Sequence, residues 1–275
     1  MSSPPRFRRG DQPQDIAEVK AFAEQKRGSN VKVEAVVTKA GDIAEAKIVE
    51  SSGLPDLDAK VLGMVSEWKL AAGRKDGEAV HSLAKFPFFL GHFPERLEGK
   101  EPVLTDEAKA LGHHGKVLIV GDISPDGSVQ NARVATSSRS DLVDALALET
   151  VKAYKYEPPV ALDGSANTIP NAGFRFDLMQ AKEDGGSYVT GLDSYKCGAF
   201  IREYDWYNQT FTSENDKFEL RSFMIGAQMI IGGGLSDPKK FKSGMSQFDS
   251  FWDKTVEQCR QKPDKLFRDV FRKAK

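Results

Sequence analysis

The fold is decided by two stretches of the sequence, VKVEAVVTKAGDIAEAKIVESSG at Val31–Gly53 and KVLIVGDISPDGSVQNARVATSS at Lys116–Ser138. A shift of 86 positions (127 minus 41) superimposes Gly41 on Gly127, and the match continues into the residues that follow both stretches. Chance rarely keeps one register over about 40 residues, so the match indicates an internal repeat. The chain therefore contains two copies of one structural unit.

Each copy begins with a predicted β-hairpin. In the first copy, apolar residues alternate with polar ones over Val31–Val37, which is the period of a half-buried strand. Ala40–Asp42 then supplies turn residues, and a second strand returns over Ile43–Val49. In the second copy the turn is Ser124–Gly127, a stronger signal because proline suits the first turn positions and glycine accepts a positive φ.

A helix and a third strand complete each copy. Third strands are predicted at Phe86–Leu90 and Phe174–Leu178, and short helices at Asp15–Lys26 and Asp106–Leu111 precede the two copies. The sequence thus predicts an α+β fold with two tandem ββαβ domains. The helices between the second and third strands are indicated by apolar residues at helical spacing, namely Leu57, Val61, Val65 and Trp68 in the first copy and Val143, Ala147, Val151 and Tyr154 in the second.

The composition excludes several classes of partner. A length of 275 residues predicts more than one domain, and 40% hydrophobic with 29% charged residues is typical of globular proteins. A formal net charge of -1 gives no basic field for nucleic acid. The longest apolar stretch, Phe223–Ile231, is far shorter than the roughly 20 residues of a membrane-spanning helix. We expect no nucleic-acid partner and no direct membrane span.

Residues that could carry catalysis or bind metal do not recur together. Ser51-Ser52 and Ser137-Ser138 are interpreted as caps at strand ends and helix starts, because no histidine stands at the same place in both copies. His113-His114 could contact a metal, but no cluster of carboxylates accompanies them. Trp68 and Tyr154 are interpreted as core residues. The sequence therefore predicts no catalytic residues, no metal site and no cofactor.

At this point the repeat resembles a known family, the C-terminal domains of the TonB energy transducers. The first copy reads VKVEAVV, AGDI, AKIVESSG, LDAKVLGMVSEWKL and KFPFFL. The second reads GKVLIVGDI, DGSV, ARVATSS, VDALALETVKAYKYEPP and FRFDL. The resemblance covers roughly residues 15–180. It implies a non-enzymatic protein that recognises extended peptide segments of membrane-protein partners by adding a strand to an exposed sheet edge.

The last third of the chain has a different character. The polar and Gly-rich residues 181–193 predict a linker, and the apolar spacing beyond them predicts about four short helices in a small all-α domain. Cys197 falls in the first helix and Cys259 in the third, on the same apolar stripe as Trp252. The two cysteines are predicted to form a disulfide, with two buried free thiols as the alternative. YKCGAFIREYDWY and VEQCRQKPDKLFRDVFRKA also resemble the HdeA-type small periplasmic helical domains.

The disulfide and the family resemblance together predict a periplasmic protein, since disulfides persist in oxidising compartments. The start, MSSPPRFRRGDQPQ, has no apolar run after its charges and is not a signal peptide as it stands. Either the protein is cytosolic or Met1 replaces a native signal peptide that has been removed; we expect the second. The expected domains are a disordered segment 1–14, TonB-like domains at 15–98 and 99–180, the linker 181–193, and a helical domain at 194–275.

The expected function is that of a cell-envelope binding or scaffold protein, and a link to outer-membrane transport is a further expectation. The partner would be a peptide segment of an envelope or outer-membrane protein. The alternative is a periplasmic chaperone or an immunity-type inhibitor whose activity resides in the helical domain. The peptide is expected to pair with the closing strands. The other interpretation is that these strands pair with each other, between the two repeats or in a homodimer. The residues of the expected site are Phe86, Phe88, Phe89, Phe174 and Phe176.

Overall fold

The computed structural model describes residues 2–182, 187–213, 216–231 and 238–274. The chain forms two compact units. The first comprises residues 1–99, 121–131 and 152–172, and the second comprises residues 100–120, 132–151 and 173–275. The domain boundaries expected from the sequence stay a prediction.

The described strands and helices follow the two sequence repeats. Those of the first repeat are β1 (Ser2–Ser3), β2 (Arg6–Arg9), α1 (Ala17–Glu24), β3 (Gly28–Val37), β4 (Ile43–Glu50), α2 (Pro55–Ser66), β5 (Lys69–Ala71), β6 (Gly73–Lys75), β7 (Glu78–Val80) and β8 (Ser82–Gly91). Those of the second are β9 (Arg96–Glu98), α3 (Asp106–Leu111), β10 (Gly115–Ile123), β11 (Val129–Thr136), α4 (Asp141–Lys152), β12 (Lys155–Tyr156) and β13 (Ile169–Leu178).

Both repeats have the predicted ββαβ topology. The strand order is β4-β3-β8 in the first repeat and β11-β10-β13 in the second, so the closing strand lies beside the first strand of its hairpin and at the edge of its sheet. β3 and β8 pair antiparallel over ten positions, from Gly28 opposite Gly91 to Val37 opposite Ser82. The prediction of two tandem units is confirmed.

The cores of the two repeats are equivalent residue by residue. Adding 86 to the bounds of β4 and α2 gives the bounds of β11 and α4. Trp68 and Tyr154, predicted as equivalent core residues, are both buried. The equivalent pairs buried on the first strands and helices are Val31 with Val117, Val33 with Ile119, Val37 with Ile123, Leu57 with Val143, Val61 with Ala147 and Val65 with Val151.

The hairpin glycines are required by the strand that follows the helix. Gly41 has φ +89° and Gly127 has φ +81°, a region that favours glycine. The Gly41 carbonyl accepts from the Leu70 amide at 2.8 Å, and the Gly127 carbonyl accepts from the Tyr156 amide at the same distance. A Cβ on either glycine would overlap the carbonyl oxygen of Leu70 or Tyr156. The glycines therefore let β5 and β12 close onto the hairpin turns.

The paired serines bond within the connections from strand to helix, and not as caps of the first helical turn, since the N-cap of α2 is Leu54 and has no side-chain cap bond. The Ser52 amide donates to the Asp58 carboxylate at 2.9 Å, and the Ser138 amide donates to the Asp144 carboxylate at 2.8 Å. Their hydroxyls accept from the amides of Leu54 and Ser140. An aspartate in the first helical turn thus fixes the connection from strand to helix.

The prediction of disorder for residues 1–14 is wrong over the N-terminal strand. β2 pairs antiparallel with β5, with Arg6 opposite Ala71 and Phe7 opposite Leu70. The Phe7 ring lies edge-on to Trp68, 4.8 Å between centroids, and the Trp68 indole nitrogen donates to the Asp11 carbonyl at 2.9 Å. The Trp68 ring and its indole N–H are not covered by the rest of the core. Their contacts with Phe7 and Asp11 order this polar segment.

The last third is helical, as predicted, with α5 (Tyr188–Gly191), α6 (Cys197–Thr210), α7 (Glu219–Ile231), α8 (Pro238–Gln261) and α9 (Phe267–Ala274) among the described residues. Cys197 on α6 and Cys259 on α8 form a disulfide with their Cα atoms 4.8 Å apart. The buried aromatic residues of this core are Tyr188, Tyr195, Phe200, Phe218, Phe248, Trp252, Phe267 and Phe271.

The linker predicted at 181–193 is wrong for its described residues. Ala181 and Tyr188 are buried in the helical core, and Gln180–Lys182 forms a turn of 3-10 helix. Tyr188 packs on Phe223 of α7 with 4.7 Å between ring centroids. The polar composition of the segment conceals these anchors; residues 183–186 lie outside the described chain.

Candidate functional site

The edge of β8 is the candidate site because half of its backbone groups point away from β3. In an antiparallel sheet, the backbone groups of alternate residues point to opposite sides of the strand. The Thr38 amide donates to Asp42 toward β4, so Val37, one residue earlier, points toward β8. Its partner Ser82 therefore points toward β3, and the outward positions on β8 are Leu83, Lys85, Pro87 and Phe89.

A second contact gives the same assignment. The Gln14 side chain donates to the Phe89 carbonyl from the outer side of β8. This end of the edge is thereby occupied, and Pro87 has no amide hydrogen to donate. Leu83 and Lys85 remain as the outward residues that can both donate and accept. Both are exposed, Leu83 to 63%.

The phenylalanines predicted as the docking strand of the first repeat face two ways. Phe86 and Phe88 pack on Trp68, with ring centroids 5.3 Å and 5.6 Å away, and belong to the core of the repeat. Phe89 lies on the other face against Phe93, 5.2 Å between centroids. The sequence reasoning missed Leu83 and Lys85. In SLAKFPFFL every second residue from Ala84 to Leu90 is apolar. This period predicts a strand that begins near Ser82, earlier than Phe86.

The closing strand of the second repeat has a different edge. Phe174 is buried and Phe176 is half-buried. Residues 101–104 and 175–179 together line a cavity of about 420 Å³, so the chain itself flanks the second half of β13. In the first half, Pro170 is exposed and Asn171 has φ +53°, with its amide donating to Asp122 at 2.9 Å. Proline and an irregular backbone disfavour strand addition here.

The exposed face beside the β8 edge carries charges of both signs in equal number, namely Lys32, Lys47 and Lys85 with Glu34, Glu45 and Glu50. Glu34 on β3 lies 2.9 Å from the ammonium of Lys47 and 3.6 Å from that of Lys85. The hydrogen bond from Lys47, followed by the charges of both lysines, lowers the pKa of Glu34. One carboxylate thus faces two ammonium groups, and Lys85 is the more distant of the two.

A buried carboxyl group lies in the helical core. Glu203 on α6 is fully buried, where its carboxylate accepts from the Gln180 amide at 2.8 Å and from the Tyr195 hydroxyl. Burial raises the pKa of Glu203 to about 7, although these hydrogen bonds oppose the shift. The group connects α6 to the turn that follows β13.

An ion-pair network holds α7 to the end of β13. The Lys182 ammonium, with its side chain 8% exposed, lies 2.5 Å from Asp177 and 2.7 Å from Glu219, and Lys116 lies 2.9 Å from Glu219. Burial alone would raise the pKa of Glu219, but the hydrogen bonds from Lys182 and Lys116 lower it. These pairs neutralise one another and explain how a lysine is buried.

Neither a metal-binding cluster nor a membrane-spanning helix is present among the described residues. In the ranges 2–182, 187–213, 216–231 and 238–274, no group of three or more His, Cys, Asp and Glu side chains could hold a metal ion. Over the same part of the chain, no helix is both long and apolar enough to cross a membrane.

The fold and its edge define a tandem-repeat α+β protein with a disulfide-linked helical region. The family model described as Gram-negative bacterial TonB protein C-terminal matches residues 20–89 and 100–178. These matches span more than half of the chain, so the protein belongs to the TonB C-terminal family. No curated protein matches the chain. The family consists of envelope-associated domains for energy transduction and binding.

Proposed function

We propose that this protein is a non-enzymatic binding or scaffold protein of the periplasm, connected with outer-membrane transport, that recognises extended peptide segments of envelope proteins. The single observation that carries the proposal is the edge of β8, where Leu83 and Lys85 direct amide and carbonyl groups outward. A peptide that runs beside β8 would pair with these groups and extend the sheet to four strands.

Membership of the TonB C-terminal family supports this proposal, since the family interacts with outer-membrane proteins. The edge of β8 supports it more strongly than the edge of β13. β8 keeps a regular ten-residue pairing with β3, whereas β13 has an irregular start and a flanked end. A regular edge offers a docking strand consecutive hydrogen bonds in one register.

The test uses a proline that removes one backbone donor. Lys85→Pro deletes the outward amide hydrogen in the middle of the open part of β8, while Lys85→Ala removes the same side chain and keeps the hydrogen. Binding of synthetic peptides from the periplasmic segments of outer-membrane receptors is measured by fluorescence anisotropy. We expect Lys85→Pro to weaken binding at least tenfold and Lys85→Ala to weaken it much less.

Hydrogen exchange gives a second measurement on the unmodified chain. A docked strand would slow exchange of the Leu83 and Lys85 amides when peptide is added. If those amides are already slow in the isolated monomer, the edge is occupied and the proposed site is wrong. Equal binding by the proline and alanine variants would also contradict it.

A further inference from the structure

A cavity of about 440 Å³ lies within the second compact unit, where β10 begins and β11 and β13 end beside α6 and α7. Its apolar lining comes from Met179, Tyr207 and Phe211, and the rings of Tyr207 and Phe211 stack with 4.6 Å between their centroids. The hydroxyl-bearing residues Thr136 and Ser137 also border it. This volume, and an apolar lining with a few polar groups, are typical of sites for small molecules.

A buried histidine borders the cavity. His114 is 6% exposed, and its Nδ1 lies 3.0 Å from the Gly112 carbonyl. Because a carbonyl only accepts, Nδ1 carries the proton and Nε2 is an unprotonated acceptor. Burial lowers the pKa of His114 to about 4, so the ring keeps this neutral form at pH 7. No described residue donates to Nε2, which is not among the fully buried atoms without a partner, so it is open to the cavity.

The repeat does not explain this histidine. The equivalent residue of the first repeat is Gly28 (114 minus 86), so the ββαβ fold does not require a ring at this position. The orientation of the His114 ring is fixed by α6, where Trp206 and Tyr207 lie 4.9 Å and 6.2 Å away between centroids. A buried acceptor without a donor costs free energy that an apolar ring would not cost. His114 therefore indicates a ligand that supplies the donor.

The charged side chains of the lining balance one another. They are three cations and three carboxylates, namely Lys116, Arg139 and Lys217 with Asp177, Asp216 and Glu219. Lys116 lies 2.9 Å from Glu219, and Arg139 lies 3.6 Å from Asp216. Lys217, which forms no ion pair with a described residue, is exposed and is solvated by water. The cavity therefore favours an uncharged ligand.

We infer that this cavity binds a small uncharged molecule with an apolar body and an N–H or O–H group that donates to Nε2 of His114. The apolar body would lie against Met179, Tyr207 and Phe211. This site is separate from the edge of β8, and the inference does not rest on strand addition there.

The experiment follows the histidine ring nitrogens of the full, disulfide-bonded and 15N-labelled chain by NMR at pH 7 while phenol is added. Phenol has an apolar ring and one O–H group, anisole replaces that group by a methyl ether, and benzoate carries a charge. Phenol should move the Nε2 signal of His114 to lower chemical shift. It should bind about five- to tenfold more tightly than anisole or benzoate, because it alone donates a hydrogen bond without bringing a charge.

The ring of His113 is the internal control. It also contacts Trp206, with 5.1 Å between centroids, but its Nδ1 lies 2.9 Å from the Ser140 hydroxyl. Its signals should therefore move little when phenol is added.

Three variants locate the binding. Thr136→Trp fills the cavity from an exposed lining position and should abolish phenol binding. Ala135→Trp adds the same bulk at the neighbouring exposed position, outside the lining, and should leave binding unchanged. His114→Phe should bind phenol and anisole equally. Circular dichroism checks the fold of each variant, and the Thr136 and Ala135 pair decides the question if His114→Phe does not fold.

Several outcomes would overturn the inference. An Nε2 signal of His114 that stays in place as phenol is added would do so, as would equal affinities of the unmodified protein for phenol and anisole. Tighter binding of benzoate than of phenol would contradict an uncharged ligand. Unchanged phenol binding by Thr136→Trp would place the phenol outside this cavity.

Discussion

Phe7 and Arg96 occupy equivalent places in the two repeats, each covering the aromatic residue that follows the helix of its unit. The Phe7 ring meets Trp68 edge-on at 4.8 Å, and the Arg96 guanidinium lies 4.4 Å from the centre of the Tyr154 ring. Phe7 stands opposite Leu70 in β2–β5, and Arg96 stands opposite Tyr156 in β12–β9. Each repeat therefore begins with a short strand that the ββαβ pattern does not include.

Phe7→Ala should destabilise the first repeat. Phe7 is 45% exposed, so its removal loses part of the free energy of burying a phenylalanine together with one aromatic contact. We expect the free energy of unfolding to fall by roughly 1 to 2 kcal/mol, as measured by urea titration. Arg8→Ala, an exposed change on the same strand, is the control and should shift it by less than about 0.5 kcal/mol. Equal losses for Phe7→Ala and Arg8→Ala would instead support the prediction that this segment is disordered.

The helices and hairpins were predictable because their information is local. Alternation and helical spacing operate within ten to fifteen residues, and the duplication supplied each pattern twice. β2 was missed for the opposite reason: it is four residues long, three of them arginine, and its order depends on Trp68 far along the chain. The composition of β2 therefore predicts disorder, although its contact with the distant Trp68 gives it a defined structure.

Gly41→Ala should cost more stability than Gly53→Ala. The two glycines have nearly the same φ, +89° and +88°, so alanine suffers similar backbone strain of about 1 to 2 kcal/mol at either position. At Gly41 the added Cβ also overlaps the Leu70 carbonyl, whereas at Gly53 nothing lies within 4 Å. The difference in the free energy of unfolding between Gly41→Ala and Gly53→Ala, measured by urea titration, gives the cost of placing a Cβ against β5. Equal losses would contradict the close approach of β5 to Gly41.

The candidate site was predictable only in part. The edge position of the closing strand follows from the ββαβ order, but which residues face outward depends on the register with β3. A shift of one residue in that register would exchange the residues that point outward with those that point toward β3. The phenylalanines were predicted as site residues because they are apolar. The same property places Phe86 and Phe88 in the core.

Trp68→Ala should be among the most destabilising single changes in the first repeat. Trp68 is 4% exposed and contacts Phe7, Phe86 and Phe88. The cavity and the lost contacts should lower the free energy of unfolding by about 3 to 5 kcal/mol. Trp68→Phe, which keeps a ring but loses the hydrogen bond to Asp11, should cost clearly less. A loss below about 1 kcal/mol for Trp68→Ala would contradict its place in the core.

Reduction of the disulfide should destabilise the helical region. Cys197 and Cys259 are separated by 62 positions, and closing a loop of that size corresponds to about 4 kcal/mol of unfolded-state entropy. The Cys197→Ser, Cys259→Ser double variant should lose a similar amount. The check is hydrogen exchange of α6 and α8 amides, with the β3 amides of the first compact unit as the internal control. Unchanged exchange in α6 and α8 would show that the bridge adds little.

Glu203 should make the stability of the helical region depend on pH. Burial raises its pKa in the folded protein to about 7, above the ordinary value of 4.5. The folded state therefore holds this proton more tightly than the unfolded state. The stabilisation is fully present below about pH 4.5, is lost as the pH rises through 7, and does not change further above that.

The size of the effect follows from the same shift. Each unit of pKa difference corresponds to about 1.4 kcal/mol, so ionisation of Glu203 should remove roughly 3 kcal/mol between pH 4.5 and 8. Glu203→Gln keeps the acceptor for the Gln180 amide and cannot ionise, so its stability should vary less over this range. Urea titrations of both proteins at several pH values, with Glu257→Gln on the exposed side of α8 as control, measure the difference. A Glu203→Gln variant that loses stability in parallel with the unmodified protein would show that other groups cause the pH dependence.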